Sequence, residues 1–192
     1  MIEAPEARYL SEQLNHIISG KTITDVYTLY SPHKFAWLSG TPDEYAEWLT
    51  GKKVGSARSQ GGMVELTIED KVLVFTDGAN LSFLKAGSKL PAKHQLLLAF
   101  EDESCLVVTV RMYAGIMCYD KTATSGNNMH QYYSTAKTKP QVMTDEFGKD
   151  YFLELIHAQN AQNKSAKAFL ATEQTIPGLG NGVLQDILYH MH

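Results

Sequence analysis

The spacing of apolar positions changes twice along the chain. The opening segment "EAPEARYLSEQLNHIISG" carries Ala4, Ala7, Leu10, Leu14, Ile17 and Ile18 at helical spacing. That predicts a helix, with Pro5 in its first turn and Gly20 at its end. The next stretch, "KTITDVYTLY", alternates with β-branched residues and reads as a strand. "SPHKFAWLSG" reads as a loop with two aromatics, in which His33 and Lys34 beside Phe35 and Trp37 line a groove or tuck over the sheet. A short helix is expected in "TPDEYAEWLTGK", where Thr41 caps and Glu44 completes a capping box.

From Lys53 to Tyr119 the period becomes that of strands: "KVGSARSQ", "MVELTIED", "KVLVFTDG", "ANLSFL", "HQLLLAFED", "SCLVVTVRMY" and "GIMCYD". The breaks are short and polar, as at Glu69-Asp70 and Asp102-Glu103, and have the spacing of hairpins. Two packed antiparallel sheets are expected. "KTATSGNNMHQYYSTAKTKP" is polar and reads as a structureless linker. From Asp145 onward the pattern is helical again. The expected organisation is α+β: an N-terminal helix and two-layer antiparallel β-sandwich over residues 1–120, a linker over 121–144, and a small helical domain over 145–192.

Composition changes this picture little. Apolar residues are 44% of the chain and charged residues 20%, as in ordinary globular domains. No apolar run approaches the ~18 residues of a membrane span. Glu3 and Glu6 come early and no apolar stretch follows Met1, so the N-terminus is not a secretory signal. The two cysteines, Cys105 and Cys118, fit a reducing compartment and supply no zinc site of paired thiolates. The seven histidines are scattered, and His190 and His192 stand two apart on a helix, a poor ligand geometry. No metal site is expected in this chain. The net charge of −4 excludes a generic nucleic-acid coat protein, so any DNA binding rests on a local patch.

The closing stretch "QTIPGLGNGVLQDILYHMH" sets Gly178, Gly180 and Gly182 in front of an apolar helix. A helix start exposes unpaired N–H groups and a partial positive charge, and glycines let another group come close. Together they make an anion site. The preceding run "SAKAFLATEQTI" reads as helix rather than strand, which favours a nucleic-acid backbone over a dinucleotide. The alternative is a glycine cap followed by a core helix.

This arrangement resembles the formamidopyrimidine-DNA glycosylase / endonuclease VIII family. "MIEAPEARYLSEQL" is similar to the family's N-terminal "MPELPEVE" helix, and "KSAKAFLATEQTIPGLGNGVLQDILYHMH" to its helix-two-turn-helix segment. The spacing from Lys167 to Asn181 matches the family's lysine and asparagine. The resemblance implies a DNA groove between sandwich and helical domain. It makes Lys167 and Asn181 contacts to backbone phosphate, assisted by the N–H groups of Gly180 and Gly182. It implies Glu3 as the acid that protonates the sugar oxygen and Glu6 as a second catalytic match, against the reading of charges placed at a helix N-terminus. Family members run on to a C-terminal zinc finger. This chain closes while an apolar helix is in progress at His192, so a longer protein is expected, with zinc only beyond this chain.

Three departures bear on chemistry. The family attacks the sugar with a secondary amine, supplied by a proline after Met1 is removed; here position 2 is Ile2, which retains Met1. The lysine of its "RRGK"-like turn falls at Gly62 in "RSQGGM", leaving Arg58 as a candidate phosphate contact or a solvated strand residue. The "DPRRFG" loop, which fills the gap of a flipped base, corresponds to "VRMYAG", with Met112 and Tyr113 as apolar wedges or as packed strand residues. The resemblance therefore implies a cytoplasmic or nuclear base-excision repair protein, a monomer, acting on damaged or abasic double-stranded DNA as N-glycosylase and lyase. The alternative is a catalytically silent lesion-binding protein, because the terminal proline is absent. A sandwich that binds something other than DNA is a third reading.

Overall fold

The computed structural model describes residues 2–123, 128–172 and 175–191; Met1 and His192 lie outside the described residues. Helix α1 (Ala4–Ile17) is followed by β1 (Ile23–Thr28), β2 (Ala36–Leu38) and α2 (Pro42–Leu49). Seven strands come next: β3 (Val54–Gln60), β4 (Met63–Ile68), β5 (Lys71–Phe75), β6 (Ala79–Leu84), β7 (Leu96–Phe100), β8 (Cys105–Val110) and β9 (Ala114–Asp120). They form two sheets, ordered β1-β7-β8-β6 and β2-β9-β5-β4-β3. Inward-facing side chains of both sheets make the main core, with Tyr45, Phe75 and Phe100 fully buried. The chain is α+β, as its patterning predicts.

Two local differences matter for the site. The stretch read as a loop around Phe35 contains β2, which pairs in parallel with β9 (Ala36 opposite Ala114, Leu38 opposite Ile116), so the larger sheet is mixed. A three-residue edge strand is too short to show alternation in sequence. The segment read as a structureless linker contains helix α3 (Asn128–Thr138). Met129, Tyr133 and Ala136 sit at helical spacing and pack on Met63, Val72, Val74 and Met117 of the larger sheet's outer face. The Tyr133 hydroxyl donates to the buried Glu65 carboxylate at 2.6 Å, and Lys137 approaches the same group at 3.5 Å. Tertiary burial thus makes a helix of a segment that is mostly polar.

Helix α4 (Lys149–Ala158), a 3-10 turn (Ala161–Asn163), a π-helical turn (Ala168–Thr172) and α5 (Asn181–His190) complete the chain. The π-helical turn stands where the pattern predicts an ordinary helix. At the other end, α1 packs along β3. There the Asn15 side-chain amide donates to the Ala57 carbonyl (2.8 Å) and accepts from the Ala57 N–H (2.7 Å), pairing backbone groups of the sheet's edge strand.

Candidate nucleic-acid interface

The first residues of the chain are strapped between the sandwich and the glycine turn. The Ile2 N–H donates to the Asp77 carbonyl at 2.6 Å, and the Ala4 N–H to the Gly178 carbonyl at 2.9 Å. Ile2 is 7% exposed and its side chain belongs to the main core. The β3–β4 turn, Gly61-Gly62, lies directly against Gly178. A Cβ on Gly178 would stand 2.3 Å from the Gly61 carbonyl carbon and from the Gly62 nitrogen, and Gly178 has a φ of +82°. Only glycine fits there, on grounds of both space and backbone conformation.

Glu3 reaches from this strap into the mouth of α5. Its carboxylate, 7% exposed, accepts from the Gly182 N–H at 2.9 Å and the Val183 N–H at 2.8 Å. A buried carboxylate on two helix N-terminal donors satisfies orphan N–H groups and sits at the positive end of the helix dipole. Such charged hydrogen bonds are worth about 1.5–3 kcal/mol each. A Cβ on Gly180 would stand 2.6 Å from the Glu3 carboxyl, so that glycine makes room for the carboxylate. The anion seat anticipated from the glycines exists, but its occupant is internal. The Gly182 N–H, which the resemblance places on phosphate, donates here to Glu3.

Beside this junction opens a cavity of about 620 Å³, lined by Glu3, Asp77, Tyr113, Lys167, Gly180 and Asn181, with Met129 and Tyr132 of α3 also on its wall. Lys167, on the turn preceding the π-helical segment, and Asn181, the first residue of α5, are both exposed at it. Residues far apart in sequence, Lys167 and Asn181 among them, thus converge on one hollow. A second hollow of about 470 Å³ shares Ile2, Asp77 and Tyr113 and adds Glu6, Arg111 and Met112. Met112 is 70% exposed and lies with Tyr113 in the β8–β9 turn, not in a packed strand.

Two further candidates, Glu6 and Arg58, lie outside the first cavity. Glu6 accepts from the Glu3 N–H at 3.2 Å, so its carboxylate serves the start of α1. Arg58 is exposed on β3 opposite Glu65 and does not line either hollow. Asp77 is among the cavity residues that went unnoticed in sequence. Asp77, at the end of β5, carries a φ of 42° and lines both hollows. Burial holds its carboxyl above the ordinary value of 3.8, against the pull of a hydrogen bond from Thr76. An aspartate closing a strand looks like any turn residue, which is why nothing marked it. Among the described residues no three His, Cys, Asp or Glu side chains gather where they would hold a metal ion, and no helix is long and apolar enough to cross a membrane.

Residues 1–116 match the model of the formamidopyrimidine-DNA glycosylase N-terminal domain. The chain belongs to the formamidopyrimidine-DNA glycosylase family. Among solved structures it is similar to Lactococcus lactis Fpg in complex with DNA containing an abasic site. There the identity is 18% and the TM-score 0.76, over 97% of this chain and 67% of that one. It is likewise similar to MutM in complex with DNA containing carbocyclic 8-oxo-G, with 18% identity and a TM-score of 0.76, over 97% of this chain and 68% of that one. The likeness at this identity is one of fold, and the chain spans about two thirds of the length of those structures. The search of curated proteins gave no match.

Within the glycosylase frame the position of the missing lysine has a physical explanation. A Cβ on Gly62 would stand 3.1 Å from the Ile2 carbonyl oxygen and 3.2 Å from the Gly178 Cα. A side chain there requires the strap or the glycine turn to give by a few tenths of an ångström. Gly62 thus sits against the backbone of residue 2 and of Gly178.

Proposed function

We propose that this chain recognises damaged or abasic DNA on the glycosylase fold, and that the amine chemistry of its family is not carried by its terminus. The observation that carries this reading is the setting of position 2. Its nitrogen donates to the Asp77 carbonyl and its side chain is sunk in the sandwich core. A nucleophilic amine has to be unprotonated and free to meet the sugar C1′. With Met1 retained, the terminal amine lies one residue further out, ~3.5 Å of chain, and a misplacement near ~1 Å already costs about a hundredfold.

Binding rests on different groups. Lys167 and Asn181 flank the cavity and supply a cation and an amide for phosphate oxygens. The exposed Met112 and Tyr113 fill the gap beside an extruded nucleotide, where unstacking costs least at an abasic site. Glu3 acts through α5, fixing the helix that presents Asn181. The proposed domain division keeps the sandwich at 1–120 and the helical part from 145, with α3 in the connection. The proposed setting is cytoplasmic or nuclear, as a monomer.

The test combines mass spectrometry of the N-terminus, borohydride trapping on damaged and abasic duplexes, and titration with a tetrahydrofuran-containing duplex. Retained Met1, no trapped adduct, and salt-sensitive binding that Asn181→Ala weakens are expected. An adduct mapped to the N-terminal peptide would establish the excising enzyme instead. Absence of any lesion preference would refute both.

A further inference from the structure

A row of aromatic rings runs outward from the cavity along the edge of the larger sheet. Strand alternation sends Ala36 and Leu38 toward the core and leaves Phe35 and Trp37 on the outer side. The parallel pairing of β2 with β9 brings Tyr113 alongside, with the Ala114 N–H donating to the Phe35 carbonyl at 2.9 Å. Ring centroids are 6.4 Å apart from Phe35 to Trp37 and 6.2 Å from Trp37 to Tyr113. The three side chains are 47%, 43% and 39% exposed. The Lys34 ammonium lies 5.4 Å from the Phe35 ring centre, and Arg111 stands in the turn that carries Tyr113.

Three large aromatics in a continuous exposed row are unfavourable in water unless something covers them. Their position selects the occupant. Tyr113 lines the cavity and is the inner end of the row, so a strand leaving the cavity past Tyr113 meets Trp37 and then Phe35. Cations at both ends suit a phosphate backbone, and every base has a π face to offer. Paired bases hide those faces in the duplex stack. We propose that Phe35, Trp37 and Tyr113 form a stacking platform for unpaired bases, so that this protein takes lesions in single-stranded or locally unpaired DNA in preference to those in a continuous duplex. The proposal rests on the lesion-binding reading of the cavity and adds the strand state of the substrate.

The chain contains two tryptophans, Trp37 and Trp48. In a Trp48→Phe background, emission reports on Trp37 alone. Three oligonucleotides carrying the same tetrahydrofuran site would be titrated: a single strand, a bubble and a full duplex. Quenching of Trp37 and roughly tenfold tighter binding are expected on the first two. A Phe35→Leu, Trp37→Leu double variant keeps apolar cover over the sheet. It should lose about tenfold on the single strand and stay within about twofold on the duplex. Equal affinities for all three forms, or an equal loss on all three in the double variant, would overturn the platform. If Asn181→Ala weakens duplex binding while the double variant changes nothing, the cavity reading survives and the platform fails. If wild-type protein binds none of the three, both fail. Self-association that already shields Trp37 without DNA would identify the row as a protein interface and also overturn the proposal.

Discussion

The sandwich and the helical region are held by different forces. Between the sheets, Leu66, Ile68, Leu73, Phe75, Leu96, Leu98 and Phe100 are almost wholly buried in one cluster. Beyond residue 145 the buried apolar side chains, among the described residues, are Phe169, Ile176, Pro177 and Leu184, and α4 buries none. The helical region is instead fastened by polar groups: Glu3 in the mouth of α5, the Ala4 N–H on the Gly178 carbonyl, and Lys139 on the Thr175 carbonyl at 3.3 Å. A dense core resists local opening, whereas an element with few apolar contacts opens on its own. The candidate site lies on the line between the two. Turns at the ends of well-packed strands present Asp77 and Tyr113, and a helix held chiefly by the Glu3 carboxylate presents Asn181.

The sharpest break of this contrast compares two phenylalanines. Phe75→Ala should cost about 3–5 kcal/mol of global stability, measured as a fall in the denaturation midpoint. Phe169→Ala should leave the midpoint of the sandwich nearly unchanged and instead speed amide hydrogen exchange across α4 and α5. Equal loss in both would show that the regions unfold as one. Next in size is Glu3→Ala. Removing the carboxylate strands two helix N–H groups and should loosen α5 by about 3 kcal/mol. Faster exchange of the Gly182 and Val183 amides would report it, while Glu3→Gln, which keeps one acceptor oxygen, should lose less.

Restoring the family's lysine comes third. Gly62→Lys meets the Ile2 carbonyl and Gly178, so it should destabilise by about 1–3 kcal/mol and recover no borohydride adduct. Recovery of an adduct would show that the lysine alone restores the chemistry. The smallest effect concerns pH. The Asp77 carboxyl is raised in the folded state, so its contribution is most favourable below the unfolded value of 3.8 and is lost as pH rises through the folded one. Asp77→Asn should therefore stabilise the protein at pH 7, and the gain should vanish toward pH 3. It should also strengthen DNA binding by removing a negative charge from the cavity. A gain independent of pH would assign the effect to packing.

Much of this was legible from short-range pattern. The capping box predicted at Thr41 and Glu44 is present, the Glu44 N–H meeting the Thr41 hydroxyl at 3.3 Å. The strand segments between Lys53 and Tyr119 correspond to β3 through β9. Helix α3 was legible in principle, since Met129, Tyr133 and Ala136 recur at helical spacing. Their signal was masked by the serines, threonines and lysines around them. β2 carried no such signal: its existence depends on β9 offering a free edge.

The sequence by itself determined the alternation that builds the sandwich, the glycines that announce an anion seat, and the absence of proline and lysine at positions 2 and 62. Each is a property of one residue or of neighbours a few positions apart, where backbone sterics and side-chain polarity act locally. Only the tertiary structure decided who occupies that seat. Glu3 and Gly182 are 179 positions apart, and their 2.9 Å hydrogen bond exists because the strap at Ile2 and the stacked turns at Gly61 and Gly178 bring the chain's two ends together. A charge and a helix end attract through space, and no spacing along the chain records that distance.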